Sequence, residues 1–430
     1  MTDKWATKPV RRAPDQDSET LSADICVAGG GVAGVSAAIE AARLGARVVL
    51  VDAQQVLGGQ ASNSMIGTFC GLFSNGPEPY QITHGIADGI LEDLGAEGAL
   101  DYREGPVTTV ILYDEVALAN WIEAAVFEAG VTVVPGAVLR EVDRRDRRIT
   151  SLGVATRHGD MRIEADGFVD GTGDAVLVWL AGLECHVADT TPVFGTQMMV
   201  LEGIDEARQP SREELTGRLK EKAGDYGLVR TDGFAFVFAG RGTALVNMTH
   251  METPLNAVAA AIQAREGKRQ TGEVLRFLKT EFPAGFAQSR VRSYGAPGVR
   301  QTRWIAGAKQ ITTEEVRAGM RYPDAVARAA WPIELHDTPE QVHWEAFGAG
   351  HMHYVPLSAM ISPEADNLVA AGRCIDGDVA ALSSVRVMGP CMATGAAAAH
   401  ALDLAGSGSV HQIDVGALQD RLHDNLERRD

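Results

Sequence analysis

The sequence predicts an α/β protein in which a nucleotide-binding domain, built from a βαβ unit and a β-meander, is interrupted by an inserted α+β domain for the substrate. Three observations predict this. Between Ala23 and Asp52 the chain reads strand, glycine turn, Ala-rich helix, strand, a complete βαβ unit. Glycine supplies 47 of 430 residues, about 11% against an average near 7%, as expected where backbone must approach a ligand closely. From 184 to 354 the texture changes to alternating strand candidates, a polar helix and many Arg, His and aromatic residues.

The first strand contains Ile25-Cys26-Val27-Ala28, the turn is Gly29-Gly30-Gly31-Val32-Ala33-Gly34, and the helix runs to about Leu44. Gly45 stands where a left-handed helix cap is wanted, and 47–51 forms the second strand. Residues 57–112, rich in Gly, Ser and Asn, read as irregular chain lying across a ligand. A second helix carries Val116, Leu118, Ala119, Ile122, Ala125 and Val126 at near-helical spacing, and a strand follows at 131–134. Strands near 138–142, 149–156 and 161–165 form the meander, which turns at the charged run 143–148, a solvated tip. A further strand at 167–169 leads into Asp170-Gly171-Thr172-Gly173-Asp174. Inside the insert the strand candidates are 234–238 and 244–248, with the polar helix near 255–280; beyond it come a strand at 368–371 and a helix near 390–405. The boundaries expected are 20–183 with 355–430 for the nucleotide domain, 184–354 for the insert, and 1–19 as a flexible N-terminal segment.

Composition narrows the function. With 45% apolar and 22% charged residues the chain has a globular balance, and its net charge of −18 repels phosphate backbones and anionic lipid heads. Neither nucleic acid nor membrane is expected as a partner. Five cysteines, Cys26, Cys70, Cys185, Cys374 and Cys391, form no C-x-x-C pair, which argues against a disulfide framework, a zinc ribbon or a redox disulfide. Reduced thiols and the lack of an apolar leader point to the cytoplasm. No metal site is expected: His351 and His353 have no carboxylate nearby to complete a ligand set.

Gly29, Gly31 and Gly34 form G-x-G-x-x-G between a strand and a helix, the context that motif requires. The first glycine permits the turn, the second lets a pyrophosphate reach the helix N-terminus beside Val32 and Ala33, and the third lets helix pack on strand. Asp52, followed by Ala53, ends the second strand about 20 residues on, where a carboxylate accepts hydrogen bonds from a ribose diol.

An NAD domain would continue with further βαβ units, whereas here a meander leads to a second glycine motif. In these residues the chain resembles the FAD-dependent oxidoreductases of the glutathione-reductase-like superfamily, in particular the branch with fumarate-reductase-like and heterodisulfide-reductase-subunit-A-like flavoproteins. The resemblance covers most of the chain and is strongest at 24–60, 166–182, 298–307 and 354–402. It implies a Rossmann-type FAD-binding fold, an oxidoreductase, and FAD held without a covalent bond. The conceivable attachment points, His84 and Cys70, lie in no attachment motif. It also implies cofactor contacts from Gly58, Gly59 and Gln60, from Gly171, Thr172, Gly173 and Asp174, and from Gly372 and Arg373. Arg386, Gly389, Pro390, Met392 and Ala393 resemble the family's closing loop and helix, whose N-terminus points at the flavin pyrimidine ring. A helix N-terminus there favours the negative charge of reduced flavin. Gly240-Arg241-Gly242 lacks a third glycine, so no second nucleotide site is read, and no cysteine-rich tract offers iron–sulfur ligands.

The segment 298–307 resembles a family stretch with two arginines. Arg300 and Arg303 are candidates for holding a carboxylate, and His336, His351 and His353 for moving a proton near neutral pH. The expected reaction is that of a dehydrogenase or oxidase passing a hydride from a small organic substrate, anionic if the arginines hold it, to flavin N5. The alternatives are a flavin monooxygenase and a flavin-carrying electron-transfer subunit. The electron acceptor and any homo-oligomer are left open.

Overall fold

The computed structural model describes residues 7–9, 19–105, 107–188 and 193–429; most of the segment 1–19, expected to be flexible, lies outside the described residues. The strand Glu19–Ala28 takes the middle of a seven-stranded sheet, because Ile25, Cys26, Val27 and Ala28 are apolar on both faces and are all buried. Val48–Asp52 pairs parallel on one side, with Thr132–Pro135 beyond it. On the other side Gly159–Asp170 runs parallel from Glu19↔Met161 to Ala28↔Asp170.

Gly159–Asp170 is one strand where the sequence suggested two, at 161–165 and 167–169. Asp166-Gly167 reads as a break, but pairing along the whole neighbouring strand overrides that local signal. Its far edge changes partner at this point. The first half pairs antiparallel with Arg148–Thr156, which continues to Val138–Arg145, and the last residues pair parallel with Leu368–Ala370. The parallel strands and the meander make this a Rossmann-type sheet.

The helices Val32–Arg43 and Met388–Ala405 pack against each other over one face. They touch almost backbone to backbone: a Cβ added at Gly395 would lie 2.1 Å from the Ala33 carbonyl oxygen, and Ser36 Oγ donates to the Met392 carbonyl at 2.7 Å.

Residues 57–112 are more regular than expected. Ile86–Ala96 is a helix that buries Ile86, Ile90 and Leu94, an i, i+4, i+8 stripe whose signal Gly89 and Gly95 obscure. Thr68–Phe69, Thr109–Tyr113 and Leu100–Glu104 form a small antiparallel sheet. Residues 57–67 and 70–85 of the stretch carry neither helix nor strand.

The insert holds a four-stranded antiparallel sheet in the order Phe234–Phe238, Thr243–Asn247, Met199–Glu202, Arg290–Tyr294. The helices Arg212–Tyr226 and Ala257–Glu281 cover it around Leu201, Leu219, Val246 and Phe277. Gly240-Arg241-Gly242 is the hairpin turn between the first two strands. This separate core is built from residues between Met199 and Phe286, whereas Ile311, Val326, Ile333 and Val355 join the core of the two packed helices. Among the described residues no helix is long and apolar enough to cross a membrane.

Candidate active site

The carboxyl ends of the parallel strands open onto a cleft of about 570 Å³, where a doubly wound sheet binds its ligand. Gly29 has φ +99°, and an added Cβ would lie 2.4 Å from the Gly171 carbonyl oxygen, so only glycine brings these two loops together. A Cβ on Gly31 would meet nothing nearer than 4.0 Å and would project into open space. Gly34 lies off the cleft: its Cβ would strike the Gly29 carbonyl at 1.8 Å, so this glycine serves helix-to-strand packing alone.

Asp52 is buried at the end of its strand. One carboxylate oxygen accepts from the Gly30 N–H and the other from Gln54 N–H at 2.6 Å, which closes the glycine turn. Burial pushes its carboxyl pKa up while these bonds oppose the shift. The next glycine loop joins the first through Gly58 N–H to the Gly30 carbonyl at 2.7 Å. Gln60 spends its amide on Val299, donating to the carbonyl at 2.6 Å and accepting from the N–H at 3.0 Å. That fastens the insert-derived segment 296–300 beside the loop 58–61 along the cleft wall.

Ala53, Gly59, Thr172, Gly173, Asp174, Gly372 and Arg373 also line the cleft. Thr172 Oγ1 donates to Asp170 at 2.7 Å, and Asp174 accepts from Thr302 at 2.5 Å and faces Arg373 at 3.4 Å.

The closing helix presents Val387, its cap residue, then Met388 and Cys391 to the cleft. Gly389, Pro390, Met392 and Ala393, expected at the cofactor, are buried elsewhere. Gly389 packs against residue 71 and Met392 against the first helix, so this helix meets the cleft through Met388 and Cys391. Gly389 N–H donates to the Cys70 carbonyl at 3.0 Å, and a Cβ there would lie 2.1 Å from the Gly71 oxygen.

At the other end of the cleft stand Cys70, Thr196, Asn247, Arg300, Glu334 and Arg386. Arg300 Nη1 donates to the Phe194 carbonyl at 2.7 Å, and Arg386 Nη2 to the Glu334 carbonyl at 3.2 Å. Burial, followed by the charges of Arg386 and Arg230, holds the Arg300 pKa well below its ordinary value. Arg230, 1% exposed, pairs with Asp232 at 2.6 Å behind this wall. Burial likewise pushes the Cys391 thiol up to about 12 and the Cys70 thiol higher still, so both stay protonated at neutral pH.

Of the residues expected to handle substrate, Arg300 alone lines the cleft. Arg303 lies outside it, stacked 4.4 Å over the Trp179 ring and donating to the Asp174 carbonyl. His351 and His353 are also outside: His351 stacks on Phe347, and His353 bonds Ser384 Oγ at 2.9 Å in the core. The strand His353–Pro356 pairs with Ala325–Ala329, away from the cofactor loops, so closeness in sequence to the returning chain did not mean closeness to the cleft. His336 is buried and touches the cleft only through Glu334, at 3.2 Å. His84 is held by Asp88 outside the cleft, whereas Cys70 is on its wall.

Glu334, Thr196 and Asn247 escaped sequence reading. For Glu334 a signal existed: Glu-x-His on the strand Ile333–Leu335 has period two, which turns Glu334 and His336 to one face. Among the described residues no cluster of His, Cys, Asp or Glu could hold a metal ion.

The cleft suits a dinucleotide. It offers space at Gly31, the buried carboxylate of Asp52, and two buried guanidinium nitrogens, Arg373 Nη1 and Arg386 Nε, that find no hydrogen-bond partner among the described residues. Solved structures with similar folds include a geranylgeranyl bacteriochlorophyll reductase-like protein from Thermoplasma acidophilum, 11% identical over 94% of this chain and 83% of that one, TM-score 0.48. Another is p-nitrophenol 4-monooxygenase PnpA from Pseudomonas putida DLL-E4, 12% identical over 96% and 85%, TM-score 0.43. A third is the flavin-dependent brominase Bmp2, 12% identical over 94% and 83%, TM-score 0.48. No curated protein matches the chain. The description of one family fits residues 24–422, nearly the whole chain: this protein belongs to the FAD dependent oxidoreductase family and is an enzyme whose cofactor is FAD.

Proposed function

We propose that the protein is a dehydrogenase or oxidase of a small organic acid that carries a hydroxyl or amino group on the carbon to be oxidised. One observation carries this reading: around the substrate end, among the described residues, Arg230, Arg300, Arg373 and Arg386 meet three carboxylates, Asp232, Glu334 and Asp174. One buried positive charge is left in excess. An uncompensated buried guanidinium is costly, so the site is suited to an anion that arrives with the substrate. Elsewhere the chain's −18 charge would repel that anion.

Arg300 and Arg386 would grip the carboxylate, each held in place by a backbone carbonyl and each presenting a planar fork. The segment 296–300, fastened by Gln60, would shield the site from water. FAD, held by the glycine loops, Asp52 and the 171–174 and 372–373 turns, supplies the two-electron acceptor for the hydride that leaves the substrate carbon. A group of the protein must then receive the proton of the hydroxyl or amine.

Anaerobic mixing of the yellow holoenzyme with hydroxy acids, amino acids and their neutral amides, while flavin absorbance is followed, tests the proposal. The acids should bleach the flavin and the amides should not. Bleaching by neutral compounds alone would overturn the acid reading. Reduction by NAD(P)H alone, with substrate-stimulated oxygen uptake, would replace it with a monooxygenase.

A further inference from the structure

We propose that Glu334 and His336 form a one-proton store at the substrate end of the cleft, aligned by His250, and that this store receives the proton the substrate gives up. The second half rests on the substrate reading above; the first stands on hydrogen-bond geometry.

The chain of bonds starts at the Pro339 carbonyl, which can only accept. His250 Nδ1 lies 2.9 Å from it and therefore carries a hydrogen. In a neutral ring Nε2 is then bare, and it lies 2.8 Å from His336 Nδ1, which must donate. That leaves His336 Nε2 bare in turn, 3.2 Å from Glu334 Oε1. A bare nitrogen and a carboxylate oxygen are both acceptors, so the contact requires one proton between them. Burial and the neighbouring guanidiniums keep His250 neutral, as this chain of donors requires, and disfavour a charge on His336 alone, so the shared proton depends on the carboxylate beside it.

The store has two states, bridged and empty. A second proton would leave the pair cationic beside Arg230, Arg300 and Arg386. No proton can leave through His250, because its Nδ1 hydrogen ends on a carbonyl. Entry and exit are confined to Glu334, the member that lines the cleft.

Trp331 Nε1 donates to Glu334 Oε2 at 3.0 Å, and Asp232 is taken by Arg230. Phe194 stacks on His250 with ring centres 5.7 Å apart. On the partner strand Trp344 stands opposite Glu334, and Glu345 is bound to Arg317. The Cys70 thiol, on the facing wall, stays protonated. In the oxidation, the O–H or N–H bond breaks and its electron pair becomes the second bond of C=O or C=N. The proton passes to Glu334, and the hydrogen on carbon leaves with its pair to the cofactor. Glu334 is thus the group that meets substrate, and His336 and His250 are positioning residues.

Histidine-nitrogen NMR of the labelled holoenzyme, titrated from about pH 5 to about pH 9, tests the store without any substrate. His250 and His336 should both keep hydrogen on Nδ1 throughout, and His336 Nε2 should change in one step. In Glu334→Gln, whose amide donates permanently to Nε2, that step should vanish while the tautomers persist. A hydrogen on His250 Nε2, or an unchanged step in Glu334→Gln, overturns the store. With a reducing acid in hand, Glu334→Gln should lose about 10²–10⁴-fold in kcat/KM and lose the acid limb of the pH profile, since only the empty pair accepts a proton. A slower variant that keeps the limb would mean a merely structural glutamate and would also overturn the proposal. If the NMR pattern holds but no acid bleaches the flavin, the substrate reading falls and the store stands; acid bleaching with no NMR coupling removes the store alone.

Discussion

The dinucleotide end of the cleft is lined by backbone-rich runs, Gly31-Val32-Ala33, Asp52-Ala53-Gln54, Gly58 to Ala61 and Gly171 to Asp174, whereas the substrate end gathers side chains from six segments far apart in sequence: Cys70, Thr196, Asn247, Arg300, Glu334 and Arg386. The first end acts through backbone, in glycine turns whose shape each run largely determines by itself. The second acts through side-chain charge, and its members meet only after the insert has folded and the chain has returned. Damage to the first should therefore appear as lost cofactor, and damage to the second as lost turnover in a fully yellow protein.

The largest expected effect breaks the first end. In Gly31→Val the new side chain enters the open cleft, so the protein should fold and yet elute colourless from desalting. Full flavin occupancy in that variant would overturn the placement of the pyrophosphate. Gly34→Ala is its counterpart within the same motif. Its methyl strikes the Gly29 carbonyl, so it should fail as a folding mutant, with a lowered Tm even before flavin is considered.

Next in size is the charge at the second end. Arg300→Ala should raise KM for an acidic substrate about 10- to 100-fold, the worth of a hydrogen bond to a charged group, while flavin occupancy stays full. Arg386→Ala should raise KM as much and also loosen FAD, since its Nε is one of the unpartnered donors offered to the dinucleotide. Arg303→Ala, whose guanidinium stacks on Trp179 outside the cleft, should change KM less than about threefold. Equal effects from Arg300 and Arg303 would erase the distinction.

The same contrast governs what could be read in advance. The βαβ unit and the acid at the end of its second strand were legible because each depends on a few adjacent residues and a fixed backbone shape, whereas the glycine turns at 58–59, 171–174 and 372 came from the family resemblance. Arg386 was reached through the family resemblance. Gly389, Pro390, Met392 and Ala393 were also named from the resemblance, and nothing in a uniformly apolar helix distinguishes the residues that pack from those that meet the cleft. His351 and His353 were misplaced because a chain returning to the nucleotide domain can do so on the far side of its core. Glu334 went unread although His336, two residues on, was chosen, since its value lies in the arginines it meets across the cleft.

A smaller effect sharpens the cofactor end. Asn at position 52 retains a single acceptor oxygen for the two backbone N–H groups, of Gly30 and Gln54, that the carboxylate now holds. Leaving one unsatisfied costs about 1–3 kcal/mol. Asp52→Asn should thus hold FAD about tenfold or more less tightly in a flavin-fluorescence titration, with KM for substrate unchanged. Unaltered retention would show that neither bond shapes the loop.

The smallest effect on catalysis is expected at His353, and there stability carries the signal. Burial holds its imidazole pKa down to about 3, from an ordinary value of 6.5. As pH falls through 6.5 the unfolded chain binds this proton, and the folded protein does not until about pH 3. The folded state is therefore fully favoured above about pH 7 and loses about 1.4 kcal/mol per pH unit between the two values, about 2 kcal/mol by pH 5. In His353→Gln the amide can still donate to Ser384 Oγ, as the ring nitrogen does now because the Ser384 hydrogen goes to the Trp331 carbonyl. Urea melts at about pH 7.5 and about pH 5 should then differ by about 2 kcal/mol less than in the parent. The rate of flavin reduction should stay within about twofold, because the residue lies off the cleft. A hundredfold slower reduction with an unchanged stability profile would return His353 to the site and leave Glu334 without its role.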